Sequence, residues 1–314
     1  VESLPNVTVI IAAPPGMVDI AAVAGAKKLD YPSDKVEILV ARGKQPSVQR
    51  NVAMRAARGE IIYFLDDDSV PRPDTLRRAI EQFRRPEVKM VGGPNLCPPD
   101  SSKLQQAFSL TMGTKLAFGP SSARYRSFGT VRESSEKELI LCNLLARRDA
   151  MLELDGFNEK LYPNEENALM DELQKRGGKL IYDPRLIVHR HPRATLSAFC
   201  RMLRTYGRGR AEQFRLHPTA NSIVNFVPPL FVIYLLAIAF LPRLCLWPLA
   251  VYGIAVLLQT LVVVPIKKLL WVPGVMGLIF LSHILYGVGF WRGCFTRPRP
   301  PTPALAAEIK LERI

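Results

Sequence analysis

The sequence predicts an α/β protein with a mostly parallel central sheet, followed by an α-helical region embedded in a membrane. Three observations predict it. Short β-branched runs alternate with helical segments over residues 1–190, an aspartate triplet ends one of those runs, and three charge-free apolar runs follow Ser222. The 314 residues are 48% hydrophobic and 22% charged, a balance that excludes disordered, collagen-like and disulfide-framework chains.

Val7 to Ala12 is a continuous apolar run ended by Pro14-Pro15-Gly16, as a buried parallel strand requires. Val18 to Leu29 is alanine-rich and predicts a helix closed before Asp30-Tyr31-Pro32. Val36 to Ala41 predicts a second strand. Ser47 is placed to cap a helix running to Arg58, with Gly59 as its stop. Ile61 to Leu65 is a third buried strand with Asp66-Asp67-Asp68 at its carboxyl end. Asp74 is placed to cap a helix over Thr75–Arg84, and Val88–Val91 predicts another strand. This β-α-β-α-β order implies parallel strands with helices on both faces, and ligands of such sheets bind beyond the strands' carboxyl ends. The second half is more broken. Leu104 to Phe118 is weakly helical, Pro120 to Val131 reads as a basic loop, and Leu139 to Arg148 as a strand. Asn164 is placed to cap a helix over Glu165–Arg176, stopped by Gly177-Gly178, before a strand at Lys179–Tyr182.

Ile223–Leu241, Leu244–Ile266 and Leu269–Trp291 hold 19, 23 and 23 residues without a charge. About 20 apolar residues match a hydrocarbon core of roughly 30 Å. Trp247, Trp271 and Trp291 lie near run ends, as interfacial anchors do. Pro228 and Pro229 interrupt the first run, so two or three crossings are expected. The opening Val1-Glu2-Ser3-Leu4-Pro5 has no basic n-region, so no cleaved secretory signal is expected. Cys97, Cys142, Cys200, Cys245 and Cys294 form no CxxC pair and read as reduced thiols.

Lys+Arg number 42 against 28 Asp+Glu, a formal net charge of +14. Such a surplus usually points to nucleic acid. Here it brackets the membrane region: seven arginines and one glutamate lie between Arg190 and Arg215, and eight basic against two acidic residues follow Ser222. Within Ala194–Leu216, Leu196, Phe199, Leu203 and Tyr206 keep helical spacing beside a stripe of Arg201, Arg204 and Arg208. That pattern suits a helix on anionic headgroups, or arginines that grip a phosphate. No aromatic platform accompanies them, so no nucleic-acid partner is expected.

Three adjacent carboxylates repel, and a hard cation such as Mg²⁺ or Mn²⁺ relieves that repulsion. In an extended segment Asp66 and Asp68 share a side while Asp67 points elsewhere. Arg42, Lys44 and Arg50 lie near the end of the second strand, where a diphosphate would sit. Glu165-Glu166 opens a helix and offers a general base, although acids there also favour the helix dipole. His189 and His191 are a weaker candidate for an additional metal ligand. GxGxxG, GxxxxGK[ST] and GxSxG are all missing from the sequence, which leaves dinucleotide, P-loop and serine-hydrolase chemistry without support.

The phrases Gln49-Arg50-Asn51 and Ala57-Arg58-Gly59-Glu60 through Asp66-Asp67-Asp68 resemble the donor-site core of family 2 glycosyltransferases. Gly156-Phe157-Asn158-Glu159, Asn164-Glu165-Glu166-Asn167, Gly178 and Asp183-Pro184 resemble their acceptor half. Tyr206-Gly207-Arg208-Gly209-Arg210-Ala211 ahead of apolar helices is similar to the bacterial exopolysaccharide, succinoglycan-type branch. The resemblance implies a GT-A fold and inverting transfer from a nucleotide-diphosphate sugar, foremost a UDP-sugar. It implies Mn²⁺ or Mg²⁺ on Asp66 and Asp68, and donor contacts at Ala13, Pro14, Arg42, Lys44, Arg50, Asp66 and Asp67. Acceptor or phosphate contacts are expected at Gly93, Arg204, Arg208 and Arg210, with Glu166 as base and Glu165 beside it. The sequence departs from the family at Ala13-Pro14-Pro15-Gly16, at Arg42 where a nucleobase-contacting Asp is frequent, and at Ala168.

The expected organisation is a catalytic domain over 1–190, a basic amphipathic segment over 191–222, a membrane region over 223–291 and a basic, Pro-rich tail over 292–314. The expected setting is a bacterial inner membrane, multi-pass, with the catalytic domain cytoplasmic. The expected partners are membrane lipids and a polyprenyl phosphate or polyprenyl-linked saccharide as acceptor. A noncatalytic membrane scaffold that binds a nucleotide sugar or a partner enzyme is the alternative from another class.

Overall fold

A computed structural model describes residues 4–161, 164–216, 218, 220–296 and 308–314. In chain order its strands and helices are β1 (Val7–Ala13), α1 (Ala21–Ala26), β2 (Val36–Arg42), α2 (Pro46–Ala56), β3 (Ile61–Asp66), β4 (Val70–Pro71), α3 (Thr75–Phe83), β5 (Val88–Gly92) and β6 (Asn95–Leu96). There follow α4 (Lys103–Met112), α5 (Lys115–Phe118), β7 (Arg132–Ser134), β8 (Asn143–Arg147), α6 (Arg148–Leu152), α7 (Glu165–Lys175), β9 (Lys179–Tyr182) and β10 (Val188–His189). Last come α8 (Leu196–Leu216), α9 (Val227–Ala237), α10 (Trp247–Val263), α11 (Val272–Phe295) and β11 (Lys310–Arg313). They form two compact units. One comprises Val1–Pro98, Ala123–Arg190 and Arg299–Ile314; the other comprises Pro99–Ser122 and His191–Pro298.

The first unit is an eight-stranded sheet in the order β11-β2-β1-β3-β8-β5-β9-β7, beside a small sheet β4-β10-β6. The expected parallel core exists in β2-β1-β3 and β5-β9. The sheet as a whole is mixed, because β8 runs antiparallel between β3 and β5, and β7 and β11 are antiparallel edges. An apolar run marks a buried strand but carries no direction, which is why the sequence predicts a mostly parallel sheet.

Alternation along β1 and β3 sends side chains to two cores. Val7, Val9, Ile11, Tyr63 and Leu65 pack with Leu76, Ile80 and Phe83 of α3. Ile10, Ile62 and Phe64 pack with Met54, Met151, Leu169 and Met170 on the opposite face. The caps differ from expectation. The α2 helix is capped by Gln45, whose side chain accepts from Val48 N–H at 2.8 Å, with Pro46 in its first turn. Asp74 and Asn164 make no side-chain cap bond; Asp74 pairs with Arg72 and Arg78 instead. The first helix begins at Ala21 rather than Val18, because Ala22 N–H donates to the Asp67 carbonyl at 3.0 Å.

In the second unit α8 packs along α11 through glycines. A Cβ at Gly289 or Gly293 would overlap the Arg204 or Arg208 carbonyl, and one at Gly207 the Tyr286 carbonyl. Small residues let the two backbones approach this closely. Phe108 of α4 stacks on Phe199 of α8 with ring centroids 4.1 Å apart. Val256, Val264, Val275 and Ile279 of the α10–α11 region form an apolar cluster with Leu110 and Leu116. Three segments, Ile223–Phe240, Arg243–Val263 and Ile266–Phe295, are long and apolar enough to cross a membrane. Most of their apolar residues are exposed, Phe240, Leu244 and Leu270 among them. The Pro-rich part of the expected tail, residues 297–307, lies outside the described residues.

A carboxylate and arginine site at the strand ends

The third strand, buried along most of its length, delivers Asp66 to the carboxyl end of the sheet in register with Ala12. The chain then turns, with Ser69 N–H bonded to the Asp66 carbonyl at 3.0 Å, so Asp67 and Asp68 lie in a tight bend. Arg50, on α2, is nearly buried and links two elements. Its Nη2 donates to Asp66 Oδ1 at 2.7 Å and its Nη1 to Glu165 Oε1 at 3.3 Å. Glu165 opens α7 and is 1% exposed.

The other side of the triplet is held by Arg190. The small sheet places it: β10 pairs with β4, which begins two residues after Asp68, and with β6. Arg190 N–H bonds the Leu96 carbonyl at 3.0 Å. Its Nη1 lies 2.8 Å from Asp66 Oδ2 and its Nε 2.6 Å from Asp68 Oδ1. The result is an alternating line of charge, Glu165–Arg50–Asp66–Arg190–Asp68.

Burial, then the charge of Glu166, pushes the Glu165 carboxyl up to about 7 against the opposing pull of Arg50. Among the described residues its Oε2 has no hydrogen-bond partner. Burial, then repulsion by Asp68 and Asp66, raises Asp67 above the usual carboxylate range, with Arg190 opposing. Glu166 is half-buried and accepts from Asn167 Nδ2 at 3.2 Å.

Asn51 fastens the acceptor-side turn to α2. Its Nδ2 donates to the Phe157 carbonyl and to Glu159 Oε1, both at 2.9 Å, and its Oδ1 accepts from Phe157 N–H at 2.8 Å. Gly156 sits there at φ +79, where a Cβ would also collide with Asn51. Gln49, buried, donates to the Ala13 carbonyl at 2.8 Å and the Ala41 carbonyl at 2.6 Å, tying the ends of β1 and β2 together.

This sheet, with its aspartates at the end of the third strand and a glutamate pair opening a later helix, matches the pattern of one known family. Residues 1–207 fit the family described as glycosyltransferase like family 2. The chain belongs to that family. The pre-mycofactocin glycosyltransferase of Mycobacterium tuberculosis is 24% identical over 184 residues, 58% of this chain and 38% of the relative. The chain thus spans well under half the length of the curated relative it matches. Among solved structures, mannosyltransferase PcManGT from Pyrobaculum calidifontis, in complex with GDP-Man and Mn²⁺, aligns at a TM-score of 0.58 and 18% identity, covering 90% of this chain and 87% of that one. The S. aureus TarS 1–349 structure aligns at a TM-score of 0.46 and 13% identity, covering 93% of each chain.

In this family 2 glycosyltransferase the structure brings Arg50, Asp66, Asp68 and Glu165 together. Other expected residues have the following surroundings. The Ala13 carbonyl is occupied by Gln49 and by Gly43 N–H, while Pro14 is exposed in a turn with Gly16 at φ +77. Arg42 pairs with Glu312 of β11 at 2.9 Å and donates to the Met17 carbonyl at 2.7 Å. Lys44 is exposed. Gly93 is a packing residue: a Cβ there would overlap the Leu186 and Asp183 carbonyl oxygens, so close approach of two backbones explains the glycine. Arg204, Arg208 and Arg210 lie on α8 in the second unit; Arg208 faces Glu212 at 3.5 Å and Arg210 donates to Gln213 at 3.1 Å. His191 also belongs to the second unit, bonded to Ser101 at 2.8 Å.

Among the described residues no group of three or more His, Cys, Asp or Glu side chains converges as a metal cage. A two-carboxylate site still fits Mn²⁺ or Mg²⁺, which is commonly held by one or two carboxylates completed by substrate phosphates and water. Asp66 and Asp68 would supply that donor set; both lie 2.6–2.8 Å from one cationic group. Sequence reasoning missed Arg190 as a site residue. It reads locally as the first arginine of a basic segment, and two-residue strands such as β4, β6 and β10 leave no periodic signal.

Proposed function

We propose that this glycosyltransferase is a membrane-bound, metal-dependent, inverting enzyme. It moves a sugar from a nucleotide-diphosphate donor to a polyprenyl phosphate or polyprenyl-linked saccharide for cell-envelope glycan synthesis. The observation that carries the reading is the ionic network in which Arg190 bridges Asp66 and Asp68 and Arg50 joins Asp66 to Glu165, the neighbour of Glu166.

Glu166, half-buried rather than sealed like Glu165, is the base: it takes the proton of an acceptor hydroxyl. The acceptor oxygen attacks the anomeric carbon from the face opposite the diphosphate. The bond from that carbon to the diphosphate oxygen breaks with its electron pair, and the nucleoside diphosphate departs. Glu165 holds Arg50, which in turn holds Asp66 in position. Asp66 and Asp68 would hold a divalent metal, which would supply positive charge to the leaving diphosphate. Arg50 and Arg190 add fixed positive charge beside it.

The broad apolar surface of α9–α11 supports a lipid-linked acceptor, and the arginines of α8 suit anionic headgroups. The proposed setting is the cytoplasmic face of a bacterial inner membrane. That β11 is a strand of the same sheet as β1–β3 supports a C-terminal strand on the same side as that sheet, and with it an even number of crossings between residues 223 and 295.

The test is transfer to a polyprenyl-linked saccharide, whose nucleophile is a hydroxyl, in detergent with Mn²⁺ and a panel of UDP- and GDP-sugars. Asp68→Ala is expected to abolish product while keeping the wild-type melting temperature. Glu166→Gln is expected to keep donor binding and lose transfer. Wild-type turnover by Asp68→Ala refutes the metal role, and loss of transfer in Glu165→Gln alone moves the base to Glu165.

A further inference from the structure

We propose that Arg190 is the resident counter-cation of the aspartate cluster, and that it yields Asp68 to the metal only when a nucleoside diphosphate arrives with it. The proposal rests on the reading of Asp66 and Asp68 as the metal-binding pair.

Three geometric facts carry it. First, one guanidinium bridges both aspartates, with Nη1 on Asp66 Oδ2 and Nε on Asp68 Oδ1. Second, the remaining Asp66 oxygen, Oδ1, is taken by Arg50 at 2.7 Å. Both oxygens of Asp66 and one of Asp68 are therefore already neutralised by fixed positive charge. Third, the anchoring is uneven. The Arg190 backbone is pinned to Leu96, whereas its Asp68 partner is the open end of the line, with a side chain 47% exposed against 22% for Asp66.

A divalent cation arriving alone must take Asp68 from the guanidinium that bridges it to Asp66. It must also sit beside Arg50, which cannot retreat because Glu165 holds its other nitrogen. Like charges at this range in a partly buried site oppose each other strongly. A diphosphate changes the balance. It brings oxygens that complete the metal's coordination, and it offers Arg190 a phosphate partner suited to a guanidinium fork. Metal and nucleotide should then bind with positive coupling, and by linkage each must tighten the other by the same factor. Arg190 is thus a positioning residue that sets the order of assembly and ends against the diphosphate.

The experiment is titration of Mn²⁺ into the purified full chain, followed by the paramagnetic signal of free Mn²⁺, without nucleotide and with saturating UDP or GDP. Wild type is expected to bind Mn²⁺ weakly alone, and about tenfold or more tightly with the nucleotide it uses. Arg190→Gln is expected to bind Mn²⁺ alone about tenfold more tightly than wild type, and to lose most of the nucleotide-dependent gain. Arg190→Lys, which keeps the charge but cannot bridge two carboxylates, is expected to fall between them and serves if the Gln variant does not fold. Unchanged Mn²⁺ affinity and unchanged coupling in the folded Arg190 variant overturn the proposal. Asp68→Ala separates the two levels. If it leaves Mn²⁺ binding intact, the metal site itself is wrong; if it abolishes binding while the Arg190 variant behaves as wild type, only the role of Arg190 fails.

Discussion

Replacing Glu165 by Gln should remove a pH-dependent penalty on folding. The side chain is 1% exposed, and burial together with the neighbouring Glu166 raises its carboxyl from 4.5 to about 7. A raised pKa means that the folded state holds the proton more tightly than the unfolded chain. The corresponding stability is present below pH 4.5 and is lost as pH rises through 7. At 1.36 kcal/mol per pH unit the full loss is about 3 kcal/mol, of which about 2–3 kcal/mol falls between pH 5 and pH 8. Gln keeps the shape and an oxygen for Arg50, and it does not titrate. For a domain of about 200 residues this corresponds to a gap of ~5–10 °C that opens at pH 8. The assay is thermal unfolding of detergent-purified wild type and Glu165→Gln at pH 5 and pH 8. The variant is expected to gain on wild type by that amount as pH rises. Asp67, whose pKa is raised in both proteins, cancels in the comparison. An equal difference between the two proteins at both pH values would show that Glu165 is ionised in the folded state throughout, and would refute the reasoning.

Two further outcomes follow from geometry. Gly93→Ala should destabilise by about 3 kcal/mol, because its Cβ meets two backbone carbonyl oxygens that cannot rotate away; a melting temperature equal to wild type would return Gly93 to the phosphate-binding set. In a cysteine-free background, Asp34→Cys and Glu308→Cys, both exposed, should react with a membrane-impermeant maleimide from the same face of oriented vesicles. Labelling from opposite faces would contradict the even number of crossings.

Much of the fold is legible because burial writes itself locally. The largely apolar stretches at Val7–Ala12, Val36–Ala41 and Ile61–Leu65 read as strands because only Thr8 and Glu37 interrupt them, and each is largely covered in the structure. The aspartate triplet is legible for the complementary reason: three acids after a buried strand have only the strand's solvent-facing end to occupy. Caps were less legible. Gln45 displaced Ser47 at α2 because the Pro46 ring starts the helix two residues earlier, and the longer amide reaches Val48 N–H.

The sequence by itself determined an α/β body with carboxylates at its strand ends, an apolar helical region after it, and a charge surplus concentrated around that region. Tertiary structure alone decided that β8 enters the sheet antiparallel and that Lys310–Arg313 returns to it as an edge strand beside β2. It alone decided that Arg42 is claimed by that strand, and that Arg190 rather than Arg42 or Lys44 meets the aspartates. The division has a physical cause. Periodicity reports how a segment meets solvent and core, a property of neighbouring residues. Strand direction and ion pairing depend on which distant segments share a hydrogen-bonded edge, and the two-residue strand β10 that positions Arg190 is too short to leave any periodic trace.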